Sequence, residues 1–196
     1  MIAGIVLAAG HSARLGRPKQ LLPYRGRPLL SWALAALAGS GIDKLIVVLG
    51  HDAEAIRREV DLGEARVVLN PRHAEGMSTS LRAGLAALDG DADVQAAVVT
   101  VGDQPLLRSA TFDALIEAYG ESGAAIVAAD YGGHQGTPLL LSRAVWPLAR
   151  AIHSDRGARA LLRDYPELVV AVPVDPASAV DIDTWEDYET LTDGDI

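Results

Sequence analysis

The chain of 196 residues contains no cysteine. Disulfide bonds, thiolate metal sites and a cysteine nucleophile are therefore excluded. A cysteine-free sequence also fits the reducing cytoplasm, which is the location that we expect. No apolar run approaches the roughly 20 residues that a membrane-spanning helix needs. The sequence therefore predicts a soluble protein with no membrane partner.

Aromatic residues are scarce as well, at 5% of the chain, and the formal net charge is -9. A nucleic-acid-binding protein would instead show a basic face with interleaved aromatic side chains, so we expect no nucleic-acid partner. The charge is unevenly distributed along the chain. Residues 1–42 hold five basic side chains and no acidic one, whereas residues 181–196 hold seven acidic side chains and no basic one. This asymmetry predicts a local anion site and a local cation site.

Seven continuous apolar runs of strand length recur along the chain, at residues 2–8, 44–49, 65–69, 95–101, 124–129, 138–141 and 168–172. Because these runs do not alternate with polar residues, they predict strands that are covered on both faces. Helical patterns stand between most of them, at residues 29–38, 52–60, 78–88, 111–119, 142–152 and 157–165, with Asp52 as the expected cap of the second. The alternation predicts an α/β protein with a mostly parallel sheet.

The length favours one domain over residues 1–191, and the order of the tail, residues 192–196, stays open.

The loop after the first strand is informative, because ligands bind at the carboxyl ends of the strands in a parallel sheet. This first loop, residues 10–19, has the spacing G-x-S-x-R-x-G-x-x-K. Glycines let backbone N–H groups approach an oxyanion closely, and Arg14, Arg17 and Lys19 supply positive charge. The pattern is neither a Walker A motif nor the dinucleotide motif G-x-G-x-x-G. It favours a polyphosphate site, with an ordinary strand-to-helix loop carrying solvated cations as the alternative.

Two acidic segments are candidates for the cation site. Asp103 follows the fourth apolar run within G-D-Q-P, where Asp and Pro are also common turn residues. Asp181 and Asp183 are two residues apart, so an extended segment would place both carboxylates on one face. The alternative there is helix capping, because Thr184 precedes a helical pattern and Asp187 follows it by three residues. Together with the cationic loop, these carboxylates suit a magnesium-dependent phosphoryl site.

Three motifs, LAAGHSARLGRPKQLL, VGDQP and VDIDTWED, occur in this order along the chain. In sequence and separation they resemble the MobA-like nucleotidyltransferases, and most closely the molybdenum cofactor cytidylyltransferases, over essentially the whole chain. The resemblance implies a Rossmann-like three-layer α/β/α sandwich of the nucleotide-diphospho-sugar transferase type. It also implies transfer of a nucleotidyl group from a nucleoside triphosphate with Mg²⁺ to a phosphorylated acceptor, with release of pyrophosphate.

The resemblance further implies roles for individual residues. Arg14 and Lys19 would hold the triphosphate and stabilise charge during transfer, and Asp103 with Asp183 would bind Mg²⁺, with Asp181 as the alternative to Asp183. The expected nucleotide contacts are Leu7, Ala8, Ala9, Gly10, Ser12, Arg14, Gly16, Lys19, Asn70, Gly76, Ser78 and Gly102. The Ala8-Ala9-Gly10 step resembles the cytidine-using members and favours CTP. For Ser78 and the two residues after it, helix capping is the alternative interpretation.

The acceptor half departs from the family pattern. Residues 136–138 read G-T-P where the molybdopterin enzymes tend to carry G-H-P, residues 154–159 read S-D-R-G-A-R in place of G-D-x-G-A-R, and Trp185 replaces a proline. A molybdopterin-type acceptor, and a molybdoenzyme or its chaperone as partner, are expected from the resemblance. The alternatives are transfer from GTP or to another phosphorylated acceptor, and a non-catalytic cofactor carrier. A nicotinamide-dependent oxidoreductase is disfavoured by the missing G-x-G-x-x-G motif.

The five histidines show no recognisable metal-binding spacing. None of them forms an H-E-x-x-H motif, and His51, His73 and His153 are far apart in the sequence. His11 and His134 fall in loops that we expect at the ligand edge of the sheet. A loop histidine is more often a solvated polar residue than a proton carrier, so the sequence assigns these side chains no role.

Overall fold

The computed structural model describes residues 1–12, 14–153 and 157–193 of the chain. In chain order, the strands are β1 (Ile2–Ala8), β2 (Pro23–Tyr24), β3 (Arg27–Pro28), β4 (Lys44–Leu49), β5 (Arg66–Leu69), β6 (Ala96–Val101), β7 (Ile126–Asp130), β8 (Gln135–Ser142) and β9 (Val169–Pro173). Seven of them form one sheet in the order β5-β4-β1-β6-β8-β7-β9, and β2 and β3 form a separate hairpin. Strand β8 is antiparallel to both of its neighbours, and all other pairs in the large sheet are parallel. The predicted mostly parallel α/β sheet is confirmed.

Helices cover both faces of this sheet. They are α1 (Leu29–Ala38), α2 (Ala53–Glu59), α3 (Met77–Ala86), α4 (Ser109–Ser122), α5 (Trp146–Ala151), α6 (Ala160–Asp164) and α7 (Trp185–Asp193). On one face, Leu30 of α1 and Phe112 of α4 pack in one core with Val6 of β1. On the other face, Leu81 of α3 and Trp146 of α5 pack in a second core with Ile5 of the same strand. The molecule is therefore the expected three-layer sandwich.

The central strands are covered on both faces, as their continuous apolar runs predict. All six residues of β6 are buried, and β1 is buried after its first residue. The prediction fails at the two edges of the sheet, where β5 and β9 are mostly half-buried or exposed. An edge strand has a neighbour on one side only and receives less cover from the helices, so its apolar run does not ensure burial.

One connection differs from the predicted alternation of strands and helices. Strands β7 and β8 form an antiparallel hairpin, in which the Tyr131 N–H donates to the His134 carbonyl oxygen at 3.0 Å. Gly136, Thr137 and Pro138 therefore lie inside β8, which begins three residues before the apolar run at residues 138–141. Because β8 runs against its neighbours, its first residues lie at the edge where the parallel strands end. The G-T-P segment is thus still at the ligand edge.

Helices α2 and α3 begin within one residue of their predicted starts, but without the expected capping side chains. Among the described residues, no hydrogen bond from the backbone of α2 reaches the Asp52 carboxylate, although Asp52 directly precedes that helix. Helix α3 begins after Gly76, whose φ of 104° is in a region that favours glycine, so Ser78 lies inside the helix and does not cap it. At the other end of the chain, α7 continues to Asp193, two residues into the expected tail, and residues 194–196 lie outside the described part.

A small third core joins the first loop to the C-terminal segment. Leu15, Leu22, Leu29, Ile182 and Leu191 are all buried in it, and Ile182 is completely inaccessible. This packing turns Ile182 inward and leaves the carboxylates on either side of it near the sheet edge. The backbone adds one direct link, because the Ile182 N–H donates to the Asp103 carbonyl oxygen at 3.1 Å.

Gly50, directly after β4, permits a close approach of three loops. A Cβ atom at this position would lie 2.5 Å from the Ala9 carbonyl oxygen and 2.7 Å from the His73 Cβ, which is closer than real Cβ contacts. We expect Gly50→Ala to lower the free energy of unfolding in urea by about 1–3 kcal/mol, the usual cost of overpacking.

Gly90→Ala is the matched control for Gly50→Ala. A Cβ atom at Gly90 meets nothing within 4 Å, so its unfolding free energy should stay within about 0.5 kcal/mol of the wild type. Equal stability of the two variants would contradict the close approach at Gly50.

Candidate active site

The predicted phosphate and metal residues meet at the carboxyl edge of the sheet. The Lys19 ammonium contacts the Asp103 carboxylate and donates to Asp183 Oδ1 at 2.8 Å. Arg14 Nη2 lies 3.2 Å from the other Asp183 oxygen, Oδ2. Side chains from the first loop, from the end of β6 and from the segment before α7 thus form one cluster. The two acidic segments and the cationic loop are brought together as the sequence predicts.

The first loop is shaped by its own hydrogen bonds. The N–H groups of Leu15 and Gly16 donate to the Ser12 carbonyl oxygen at 3.0 and 3.1 Å, and Gly16 has a φ of 66°. The Ser12 hydroxyl oxygen accepts the Lys19 N–H at 2.9 Å. Ser12, which the resemblance assigns to the nucleotide, therefore also fixes the start of the turn that carries Lys19.

Gln20 holds the loop against the sheet and was missed by the sequence analysis. Its Nε2 donates to the carbonyl oxygens of Ala8 and Gly10 at 2.9 and 3.2 Å, and the side chain is buried. It follows Lys19 directly, so its anchoring fixes where the Lys19 backbone leaves the sheet. A glutamine beside a lysine carries no sequence signal for this function, which depends on the fold.

The second acidic segment combines capping with a place in the site. Asp187 Oδ2 accepts the N–H groups of Asp183 and Thr184 at 3.0 and 2.7 Å, and the Thr184 hydroxyl oxygen accepts the Asp187 N–H at 3.2 Å. This reciprocal capping box begins α7. Because Asp187 and Thr184 perform the capping, the Asp183 carboxylate is available to Lys19 and Arg14.

The charges of the cluster shift its pKa values in opposite directions. Burial lowers the pKa of Lys19, but the adjacent carboxylates of Asp103 and Asp183 outweigh it and raise the pKa above its usual value. Partial burial raises the pKa of Asp183, and its contacts with Lys19 and Arg14 outweigh this and lower it. Burial raises the pKa of Asp103; the contact with Lys19 opposes this rise, and the charge of Asp181 adds to it. Positive charge at this place therefore stabilises the ionised carboxylates.

Two oxygens at this edge fit a divalent cation. Asp103 Oδ1 and Asp181 Oδ1 are buried and have no hydrogen-bond partner among the described residues. Buried polar atoms normally have a partner, so an orphaned carboxylate oxygen indicates a ligand. Mg²⁺ and Mn²⁺ prefer such hard oxygen donors and leave further positions for phosphates and water. Asp103, Asp183 and Asp181 are thus suited to hold such an ion.

A second network of polar side chains adjoins Asp181. Arg159 Nη2 donates to Asp181 Oδ2 and to the Thr137 hydroxyl oxygen, both at 3.1 Å. The Thr137 hydroxyl donates to Gln104 Oε1 at 3.4 Å, and the Tyr131 hydroxyl donates to the Thr137 carbonyl oxygen at 2.6 Å. Burial raises the pKa of Tyr131, so its hydroxyl stays protonated. No sequence pattern assigns a role to Arg159, Gln104 or Tyr131, whose contacts bridge segments distant in the chain.

The remaining expected nucleotide residues lie around this edge. Leu7, Ala8, Ala9 and Gly102 are buried where β1 and β6 end, and the Gly102 N–H donates to the Leu7 carbonyl oxygen at 3.0 Å. Gly10 and Gly16 are exposed in the first loop, and Gly76 precedes α3. None of these positions contradicts a nucleotide contact, which stays a prediction for each of them.

Asn70 has a structural function besides any nucleotide contact. Its Nδ2 donates to the hydroxyl oxygens of Thr79 and Ser80 at 2.8 and 3.0 Å, and its Oδ1 accepts the Arg72 N–H at 2.9 Å. The side chain is buried, so these bonds hold the loop after β5 to the start of α3.

We expect Asn70→Ala to lower the free energy of unfolding by about 1–3 kcal/mol, because buried hydroxyls and a backbone N–H lose their partner. Urea unfolding measures the change. Arg72→Ala is the control, since this exposed side chain pairs with Glu75 at the surface, and its removal should cost less than about 1 kcal/mol. A larger loss for Arg72→Ala than for Asn70→Ala would contradict the structural role of Asn70.

Comparison with known families agrees with this geometry. The model of the MobA-like NTP transferase domain matches residues 4–169. The chain belongs to this family. The predicted family resemblance is thereby confirmed, and with it membership of a nucleotidyltransferase family. No helix in the described ranges is long and apolar enough to cross a membrane.

Full-length relatives extend the comparison. The chain is 35% identical over 198 residues to nicotine blue oxidoreductase of Paenarthrobacter nicotinovorans, covering 97% of this chain and 96% of that protein. It is also similar to the crystal structure of Rv0371c from Mycobacterium tuberculosis H37Rv, with a TM-score of 0.87, 35% identity and coverage of 98% and 97%. That protein has also been solved in complex with manganese, with a TM-score of 0.85, 34% identity and coverage of 98% of each chain.

A more distant structure supports the fold alone. Molybdopterin-guanine dinucleotide biosynthesis protein A from Archaeoglobus fulgidus has a TM-score of 0.70 and 20% identity, with coverage of 98% of this chain and 97% of that one. The architecture is the nucleotide-diphospho-sugar transferase fold, as predicted. The manganese complex of Rv0371c makes a divalent metal plausible in this group of proteins.

Proposed function

We propose that the protein transfers CMP from CTP to the phosphate of a molybdopterin-type acceptor and releases pyrophosphate. The observation that carries this proposal is the cluster of Lys19, Arg14, Asp103 and Asp183 at the carboxyl edge of the sheet. It combines cations for a triphosphate with carboxylates for a divalent metal, in a family of NTP transferases. The reaction would take place in the cytoplasm, with a molybdoenzyme or its chaperone receiving the product.

The chemistry requires little of the protein beyond positioning and charge. A phosphate monoester has its second pKa near 6, so the acceptor is already an anion at neutral pH. Its oxygen attacks the α-phosphorus of CTP, one P–O bond forms, and the P–O bond to pyrophosphate breaks. No general base is therefore needed for this step. Arg14 and Lys19 bind the triphosphate and stabilise the charge that develops on pyrophosphate.

Asp103 and Asp183 would hold the metal, with Asp181 as the alternative ligand. Mg²⁺ is the ion that we propose, and it would offset the negative charge of the phosphates. The orphaned Asp103 Oδ1 supports this assignment, and the orphaned Asp181 Oδ1 supports the alternative ligand. Lys19 contacts the carboxylates of Asp103 and Asp183, so a metal ion held by them would free its ammonium to contact the phosphates.

The choice of CTP and of the acceptor is supported by different parts of the site. The buried step of Ala8 and Ala9 before Gly10 resembles the cytidine-using members of the family. Arg159 contacts Asp181, and within the described part of the chain its guanidinium retains donors besides those directed at Asp181 and Thr137. We propose that Arg159 contacts the acceptor. GTP as donor and another phosphorylated acceptor are the alternatives within this reaction class.

One relative favours a second candidate function. The relative from Paenarthrobacter nicotinovorans is named nicotine blue oxidoreductase. That protein is similar to this chain over nearly its whole length. The paired carboxylates around Lys19 favour nucleotidyl transfer, since a redox reaction on a dye does not require them. Assays with nicotine blue and NADH or NADPH decide between the two. Dye-dependent oxidation of the nucleotide, without any pyrophosphate release from CTP, would replace the proposal.

We expect CTP to raise the melting temperature in the presence of Mg²⁺, and GTP, ATP and NADH to raise it less. A ligand at 100 times its Kd stabilises the native state by roughly 2.7 kcal/mol, which is measurable by thermal unfolding. Each nucleotide is tested with Mg²⁺ and with EDTA. A larger shift with GTP would move the assignment to guanylyl transfer, and no shift with any triphosphate, with acceptor present, would favour a carrier protein.

We expect Asp103→Asn to lower kcat for pyrophosphate release by about 100-fold or more, because a preorganised charge is lost at the reacting phosphates. Asparagine keeps the size of the side chain, so the urea midpoint should change little. Asp91→Asn is the matched control, since Asp91 pairs with Lys44 at the start of β4, away from the carboxyl ends of the strands. Full activity of a folded Asp103→Asn variant would refute the metal assignment.

A further inference from the structure

Three histidines and an aspartate meet at the ends of three neighbouring strands. His11 follows β1, His51 and Asp52 follow β4, and His73 follows β5. The ring centroids of His11 and His51 are 4.3 Å apart, and those of His51 and His73 are 5.7 Å apart. One donor atom each of His11, His51 and Asp52 lies within 4.8 Å of the other two. The side chains thus form a compact group of nitrogen and oxygen donors.

Hydrogen bonds do not account for this group. His51 Nε2 lies 4.0 Å from Asp52 Oδ1, which is too far for a hydrogen bond. His73 Nδ1 is buried and has no hydrogen-bond partner within the described part of the chain. A buried ring nitrogen without a partner is costly, and a ligand at this place would satisfy it.

The backbone keeps the three loops in contact. Gly50 lies so close to Ala9 and His73 that a Cβ atom there would overlap both. The loops after β1, β4 and β5 are therefore packed against one another before any ligand binds. This packing reduces the conformational entropy that a ligand would have to overcome in bringing the donors together.

We propose that His11, His51 and Asp52 bind one Zn²⁺ ion, with His73 as the fourth ligand. Imidazole nitrogens with a carboxylate are donors that Zn²⁺ prefers, whereas Mg²⁺ prefers oxygen alone. In a tetrahedral site with bonds of about 2.05 Å, neighbouring donors are about 3.4 Å apart. The donor atoms of His11, His51 and Asp52, which lie within 4.8 Å of one another, would reach that spacing by rotation of the exposed His11 and His51 side chains.

This site is distinct from the carboxylate cluster and does not depend on the proposed function. In the strand order β5-β4-β1-β6, the histidines lie at β1 and the strands on one side of it, and Asp103 follows β6 on the other side. His11 belongs to the first loop, three residues before Arg14. A Zn²⁺ ion there would tie the first loop to the loops after β4 and β5.

Calorimetric titration of the metal-free protein with ZnCl₂ tests the site. The protein is purified without a histidine tag, stripped with EDTA and dialysed. With Mg²⁺ added in excess to occupy the carboxylate cluster, we expect one Zn²⁺ per chain, and at least about a tenfold weaker binding for His51→Ala, since even indirect partners of a metal site cost 10–100-fold. His134→Ala, which removes an exposed histidine elsewhere, should bind as the wild type does, and so should Asp103→Asn.

Two further readings complete the test. Co²⁺ in place of Zn²⁺ should give the visible absorption of a tetrahedral nitrogen and oxygen site, and His51→Ala should lose it. Circular dichroism checks that His51→Ala is folded. If His51→Ala is not folded, His11→Ala is used in its place, because it alters an exposed side chain. The proposal would be overturned if the wild type did not bind Zn²⁺, or if His51→Ala and His11→Ala bound it as tightly as the wild type does. Loss of Zn²⁺ binding in Asp103→Asn would also overturn it.

Discussion

The contact between one ammonium and two carboxylates is the interaction on which the candidate site depends. Lys19 reaches Asp103 and Asp183 from the first loop, and its side chain is only 17% exposed. Burying the charges of Lys19 and Asp103 is costly unless they compensate one another. The surrounding structure therefore has to hold the segments in register. Gln20 does this on the loop side, and the burial of Ile182 does it on the C-terminal side.

Sheet topology concentrates the polar groups at one edge. Strand β1 lies inside the sheet, and the loops that follow β1, β4, β5 and β6 all emerge at the same edge of the sheet, where these parallel strands end. Reversal of β8 adds the start of that strand, with Thr137, to the same edge. Two chemically different donor sets result, imidazoles on one side of the first loop and carboxylates on the other. The first loop lies between them and contributes to both through His11 and Lys19.

Local patterns in the sequence predicted the elements whose signals are local. The bounds of β1, β4 and α1 agree with the structure, because continuous apolar runs ended by glycine or charged residues define them. The meeting of Lys19 with Asp103 was predictable from the rule that parallel strands end at one edge. The direction of β8 was not, since its sequence is equally apolar in either orientation. Arg159, Gln20 and the histidine group were missed because their partners are set by tertiary contacts.

The fold alone does not decide the reaction, since the chain belongs to a family of NTP transferases and also has a full-length relative named as an oxidoreductase. The side chains at the edge discriminate better. Replacing a buried ionic cluster by apolar residues is often neutral or stabilising, so such a cluster is weak evidence for a purely structural role. Burial raises the pKa of Asp103, and one of its oxygens has no partner among the residues that the structure describes; both are costs to the folded state. A cation bound there would remove both costs, which supports the proposed triphosphate chemistry beside Lys19 and Arg14.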